Sequence, residues 1–207
     1  MTHPAFIWVN ALTIGLLGLI GFYARASSKT YRFYLLFRDP YVGGPFYQSL
    51  FTNFSEVMWC IALGICLFCF GIMRSLNRRY DWFFLATAGI IAMLLLDDLQ
   101  RITLVLHYTM GVPKAVMYGL YMGVIGAYSW IFRRRLVRET PFPLLLITVG
   151  LFVFSALADV SGYERRKPGT FAMLEDGTKL LGLMNLVLYC WLVGQQEIKR
   201  TMRRLSA

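Results

Sequence analysis

A chain of 207 residues that is 57% hydrophobic and only 15% charged would expose large greasy surfaces as a water-soluble monomer, so that class is excluded and lipid is required. Its net charge of +10 does not mark a nucleic-acid binder. The basic residues stand at the ends of apolar blocks, in Arg74/Arg78/Arg79, Arg133/Arg134/Arg135/Arg138 and Lys199/Arg200/Arg203/Arg204, where headgroups and the positive-inside rule place them, and no aromatic–basic interleaving or zinc spacing accompanies them.

The apolar residues fall in blocks of about 17 to 25, the length that crosses a hydrocarbon core. They predict an all-α, polytopic integral membrane protein with about six transmembrane helices in one bundle, over 5–23, 55–73, 82–107, 114–132, 141–159 and 171–195. No remaining segment is long enough for a soluble domain, so 1–207 reads as a single membrane domain.

The first block lacks a basic n-region and a small-residue cleavage site and reads as a retained anchor. Ala11, Gly15 and Gly18 lie on one stripe of it. The connection 24–54 contains YRFYLLF and then DPYVGGP. Its aromatic stretch is too short to span and its prolines and glycines break helices, so an interfacial segment is expected.

In the second block Cys66 and Cys69 form a C-x-x-C. Mid-helix in ICLFCF, with no charge or helix start nearby to lower a thiol pKa, they read as packing residues, as do Cys60 and Cys190. The third block carries Ala88 and Ala92 and turns polar at Asp97, where a helix end, a broken helix and a tilted continuation all fit. The fourth carries Gly119, Gly123 and Gly126. In lipid, where no hydrophobic drive brings helices together, such stripes permit close backbone approach. The glycines of the first and fourth helices are therefore expected to be packing faces. Gly119/Gly123 could instead meet a second copy or another membrane protein.

Six spans put both termini on one side. The loops and tail of that side hold eleven Lys/Arg against eight on the other, which favours cytoplasmic termini in a bacterial inner membrane, although Arg25 and Lys29 argue the other way.

Depth follows from about 1.5 Å per helical residue. Asp97 and Asp98 stand about 22 to 24 Å along the third helix from Trp82, Arg101 lies one turn on, and Glu56, Ser155, Asp159, Glu175, Asp176 and Lys179 fall near the same level on other helices. His107 is the one histidine at that level. Asp97 with Arg101, Ser155 with Asp159 and Glu175 with Lys179 are each four apart and share a helix face. Ionised residues at such depth are expensive against lipid and should turn inward, toward one ligand or ion site or one salt-bridge layer. Six carboxylates (Glu56, Asp97, Asp98, Asp159, Glu175, Asp176) face only two cations, Arg101 and Lys179. Protons, a partner, loop cations such as Arg165, Arg166 and Lys167, or a hard divalent cation held by Asp97, Asp98, Glu175 and Asp176 would balance them.

The seven-helix hydrolases that include alkaline ceramidases and adiponectin receptors combine an intramembrane Asp and Ser with three zinc-binding histidines. This chain lacks the histidine triplet and a seventh helix, so that activity does not carry over. No P-loop, GxSxG, HExxH or dinucleotide fingerprint occurs. The favoured expectation is a non-enzymatic accessory, sensor or assembly subunit with a carboxylate-rich polar site near one membrane face. The alternatives are a membrane-embedded enzyme for a lipid or isoprenoid-type substrate, with a hard-cation site and Ser155 as polar support, and a small ion-coupled transporter.

Overall fold

A computed structural model describes residues 4–27, 35–37, 48–77, 82–161 and 173–206. Among these the chain is all-α, with eight α-helices: α1 (Pro4–Ala26), α2 (Leu50–Asn77), α3 (Trp82–Gln100), α4 (Ile102–Met110), α5 (Lys114–Ile131), α6 (Arg133–Glu139), α7 (Phe142–Val160) and α8 (Thr178–Leu205). A π-helical turn, Met173–Gly177, leads into α8. Five helices, α1, α2, α3, α7 and α8, are long and apolar enough to cross a membrane, and α5 with α6 makes a sixth if that pair, bent by 73°, is one span. The protein is multi-pass by length and composition.

The third apolar block is broken. Helix α3 stops at Gln100, Arg101 takes the left-handed conformation with φ 52° and ψ 38°, and α4 starts at Ile102. Of the three outcomes open for 82–107, the break is the one that occurs. Helix α4 ends on Gly111, whose φ of 69° lets its N–H reach the carbonyl of Leu106, a turn that a residue with a Cβ adopts only at a cost. Pro113, extended and without an N–H, opens α5. Helix α2 starts five residues earlier than expected, and α8 runs to Leu205 rather than 195.

Two compact units divide the chain. The first comprises Met1–Val57 with Leu146–Asn185. Its buried cluster is Leu17, Phe37, Phe51 and Leu180, with Phe37 stacked on Phe51 at 4.9 Å between centroids. The threonine hydroxyl of Thr52 donates to the Phe37 carbonyl at 3.1 Å. Leu35 and Phe37 of the expected interfacial stretch are thus core residues, Leu36 packs against the cluster, and residues 28–34, Lys29 among them, and 38–47 lie outside the described residues. The same holds for His3, Arg78, Arg79, Arg165, Arg166 and Lys167.

The second unit comprises Met58–Leu145 with Leu186–Ala207. Phe83 and Phe84 of α3 are almost fully buried, and Phe83 meets Phe132 edge-on at 5.6 Å. Thr87 and Tyr128 share a hydroxyl–hydroxyl hydrogen bond of 2.7 Å, which ties α3 to α5. The cysteines are all free: Cys66, Cys69 and Cys190 are buried, Cys60 is exposed, and Cys66 Sγ lies 3.6 Å from Cys190 Sγ.

No close backbone approach is seen at the glycine stripes among the described residues. Among the described residues, a Cβ added at Gly15, Gly18, Gly119, Gly123 or Gly126 would meet no atom within 4 Å. The tight positions are Gly182, 3.2 Å from Phe152 Cε1, and Gly194, 2.5 Å from Cys69 Sγ. GxxxG spacing makes a close approach sterically permissible; which glycines use it depends on where the neighbouring helix lies.

Candidate functional site

The break at Arg101 assembles a polar group in the second unit. Ending a helix at Gln100 leaves the first N–H groups of α4 without partners. Asp97, on the last turn of α3, supplies one: its Oδ1 accepts from the backbone N–H of Thr103 at 2.8 Å and from the Thr103 hydroxyl at 2.8 Å. An aspartate six residues upstream therefore does the work of an N-cap, with the negative charge at the positive end of α4. Thr103 also lies 3.5 Å from the Tyr121 hydroxyl of α5, at the long end for a hydrogen bond.

Asp98 is buried and turned another way. Its Oδ2 accepts from the Trp59 indole N–H of α2 at 3.2 Å, and its Oδ1 lies 3.6 Å from Arg101 Nη1. Arg101 meets Asp98, three residues back, and not Asp97: the left-handed backbone at Arg101 takes its side chain off the continuous-helix face on which the i,i+4 pairing relied. His107 is exposed, with Nδ1 3.0 Å from the Val112 carbonyl, so it fastens the turn after α4.

The remaining predicted residues belong to the first unit. Ser155 of α7 is buried and donates to the backbone carbonyl of Glu175 at 2.8 Å. That carbonyl also accepts from Thr178 at 3.1 Å. Ser155 thus anchors the π turn holding Glu175 and Asp176. Lys179 lies just past that turn on α8, Asp159 near the end of α7, and Glu56 in the first two turns of α2. Asp97 and Asp98 are in one unit, Glu175 and Asp176 in the other. Among the described residues no group of three or more His, Cys, Asp or Glu side chains could hold a metal ion.

Two polar features escape the sequence-level reasoning. Asn10 of α1 and the fully buried Asn185 of α8 exchange amide hydrogen bonds, each Nδ2 donating to the other's Oδ1 at 2.9 Å, with the second protons going to Phe6 and Leu181 carbonyls at 2.8 Å. All four donor protons are used, the condition for placing an amide in an apolar interior. Lone asparagines inside apolar blocks were the visible signal. The second feature is an ionic network in the second unit. Arg200 Nη1 reaches Glu139 at 2.9 Å and Glu197 at 3.5 Å, Arg135 Nη2 reaches Glu197 at 3.6 Å, and the Arg135 guanidinium lies 4.4 Å over the Phe83 ring.

Residues 6–193 match the model of a family described as a domain of unknown function (DUF8692). The chain belongs to that family. No curated protein and no solved structure matches it. The family segment contains the Asp97–Thr103 and Trp59–Asp98–Arg101 groups and both asparagines, and it ends before Glu197 and Arg200. The chain is thus a multi-span membrane protein that carries this domain.

The contacts of the Arg101 group fasten the break. Asp97 has its Oδ1 committed to Thr103, and Asp98 is flanked by an indole donor and a guanidinium. Carboxylates held in this way stabilise a broken helix and fix where α4 leaves α3.

Proposed function

We propose that this protein is a non-enzymatic assembly subunit of a bacterial inner membrane, with both termini in the cytoplasm, that associates in the bilayer through the glycine face of α5. The observation that carries the reading is the pairing of an open face with a packed one on the same helix. Tyr121 of α5 is buried and Tyr128 bonds to Thr87, while Gly119, Gly123 and Gly126 are exposed with no atom within 4 Å of a Cβ. At about 100° per residue, Val116, Gly119, Leu120, Gly123, Ala127 and Trp130 share one side, opposite Tyr121 and Tyr128.

A helix that only faces lipid gains more contact from leucine than from glycine. Glycines at that spacing favour a second helix, because they let backbones approach closely. The occupant is a second copy of this chain. The carboxylates at the α3–α4 break fit this reading, since they hold a shape and need no reactant. Six spans, with α5 as the crossing part of the bent α5–α6 pair, would leave both termini on the arginine-rich side, which supports this orientation.

The test is association in lipid. Single-molecule photobleaching or cysteine cross-linking in vesicles is expected to find the wild type above monomer, and Gly119→Leu/Gly123→Leu to be monomeric. The thermal midpoint of this variant in detergent should not fall, because both positions are exposed and a Cβ at either meets no atom within 4 Å. A wild type that stays monomeric at high protein-to-lipid ratio overturns the reading.

A further inference from the structure

We infer that the outward face of α6 is a docking surface for the headgroups of acidic phospholipids. The chain turns by 73° between α5 and α6. Helix α5, at 18 residues, is about 27 Å long, close to the thickness of a hydrocarbon core. With α5 taken as the membrane-crossing part of that bent pair, a helix that leaves its end at so steep an angle runs along the membrane surface.

The sequence of α6, RRRLVRE, sorts by direction around the helix axis. With about 100° per residue, Arg133, Val137, Arg134 and Arg138 occupy an arc of about 140°, and Arg135, Glu139 and Leu136 occupy the rest. Burial divides the helix along a similar line. Leu136 is buried and Arg135 is half-buried over Phe83 with Glu197 beside it, whereas Arg133, Arg134, Val137 and Arg138 are all exposed. The acid on α6, Glu139, is engaged by Arg135 at 4.0 Å and Arg200 at 2.9 Å.

Three arginines thus remain on one open face. Arg134 and Arg138, one turn apart, can close on a single phosphate, and the planar guanidinium fork suits phosphate oxygens. Arg133 stacks 4.9 Å over Trp130, which is 72% exposed, so an amphipathic indole and a cation are presented together at the corner. That pairing fits the headgroup layer, where the ring lies against acyl chains and the cation meets phosphate. The inference is independent of the α5 association.

The experiment compares the full chain in nanodiscs of phosphatidylcholine alone and of phosphatidylcholine with phosphatidylglycerol. The readouts are the thermal midpoint and the lipids retained in native mass spectrometry. Phosphatidylglycerol should raise the midpoint and be retained selectively. Arg133→Gln/Arg134→Gln/Arg138→Gln should lose that selectivity, at about fivefold in lipid affinity per arginine removed. The corresponding triple lysine variant, which keeps the charge, should retain much of it. Lys199→Gln/Arg203→Gln, which removes two positive charges from exposed positions on α8, should lose clearly less selectivity per charge than the α6 variant. Equal retention of both lipids by the wild type overturns the proposal. So does an equal loss per charge in the α8 variant, which would mean net charge alone, or inorganic phosphate raising the midpoint as much as the lipid does.

Discussion

Asp97 and Thr103 lie on opposite sides of a left-handed residue, and the carboxylate of one accepts both the amide and the hydroxyl proton of the other at 2.8 Å. The cap holds α4 in place where the helical ladder has stopped. Removing it in Asp97→Ala leaves the Thr103 N–H without that acceptor and should cost about 1 to 2 kcal/mol. Asp97→Asn keeps an acceptor oxygen and should cost less. Thermal unfolding in detergent gives the order, and amide exchange at 102–106 should accelerate in the alanine variant before anywhere in α3. Unchanged exchange there would refute the capping role.

Arg101 combines two roles that substitution can separate. Its φ of 52° favours glycine, and its guanidinium lies 3.6 Å from Asp98. Arg101→Gly and Arg101→Ala both lose the ion pair, but only alanine keeps the strain of a Cβ in a left-handed turn. Glycine should therefore be the more stable of the two by about 1 kcal/mol. Inside a continuous helix the ranking would invert, with alanine ahead by a similar margin, so the sign of the difference reports whether α3 breaks at this residue.

The reciprocal amides of Asn10 and Asn185 make a prediction about coupling. Replacing either by leucine, the nearest apolar shape, strands the other amide in an apolar interior and should cost about 1 to 2 kcal/mol. Replacing both removes both polar groups and should cost clearly less than the two single losses added. A double-mutant cycle in which the losses simply add would mean that the two amides do not depend on each other.

Block length made the spans legible, and five or six of them stand because crossing a bilayer needs a continuous apolar run that tertiary context does not change. The polarity of LLLDDLQR marked the third block as irregular. Where it breaks was not legible, because that is settled by a carboxylate reaching six residues forward to an amide, a geometry no helical period encodes. Equal depth put Asp97, Asp98, Glu175 and Asp176 at one level, but height along a helix carries no information about direction around it, so the contacts of each were not legible. Trp59 and Gly194 are illegible for the complementary reason: each matters through one partner far away in sequence, and without that partner an indole and a glycine in an apolar block look like filler.

Gly194 and Gly123 turn that lesson into a contrast. A Cβ at Gly194 would stand 2.5 Å from Cys69 Sγ, well inside contact distance, and the thiol is buried with Ile65 close by. Gly194→Ala should therefore force the helices carrying Gly194 and Cys69 apart and cost about 1 to 3 kcal/mol. Gly123→Ala enters open space and should leave detergent stability within about 0.5 kcal/mol of wild type, or raise it slightly, since alanine is the better helix former. If the obstacle at Gly194 is the sulfur itself, Cys69→Ala should recover much of the loss in the double variant. A Gly194→Ala protein that melts like wild type would mean the thiol turns aside at no cost. A Gly123→Ala protein that is destabilised in detergent would mean that this face is already packed within the chain, and the association proposed for α5 would lose its surface.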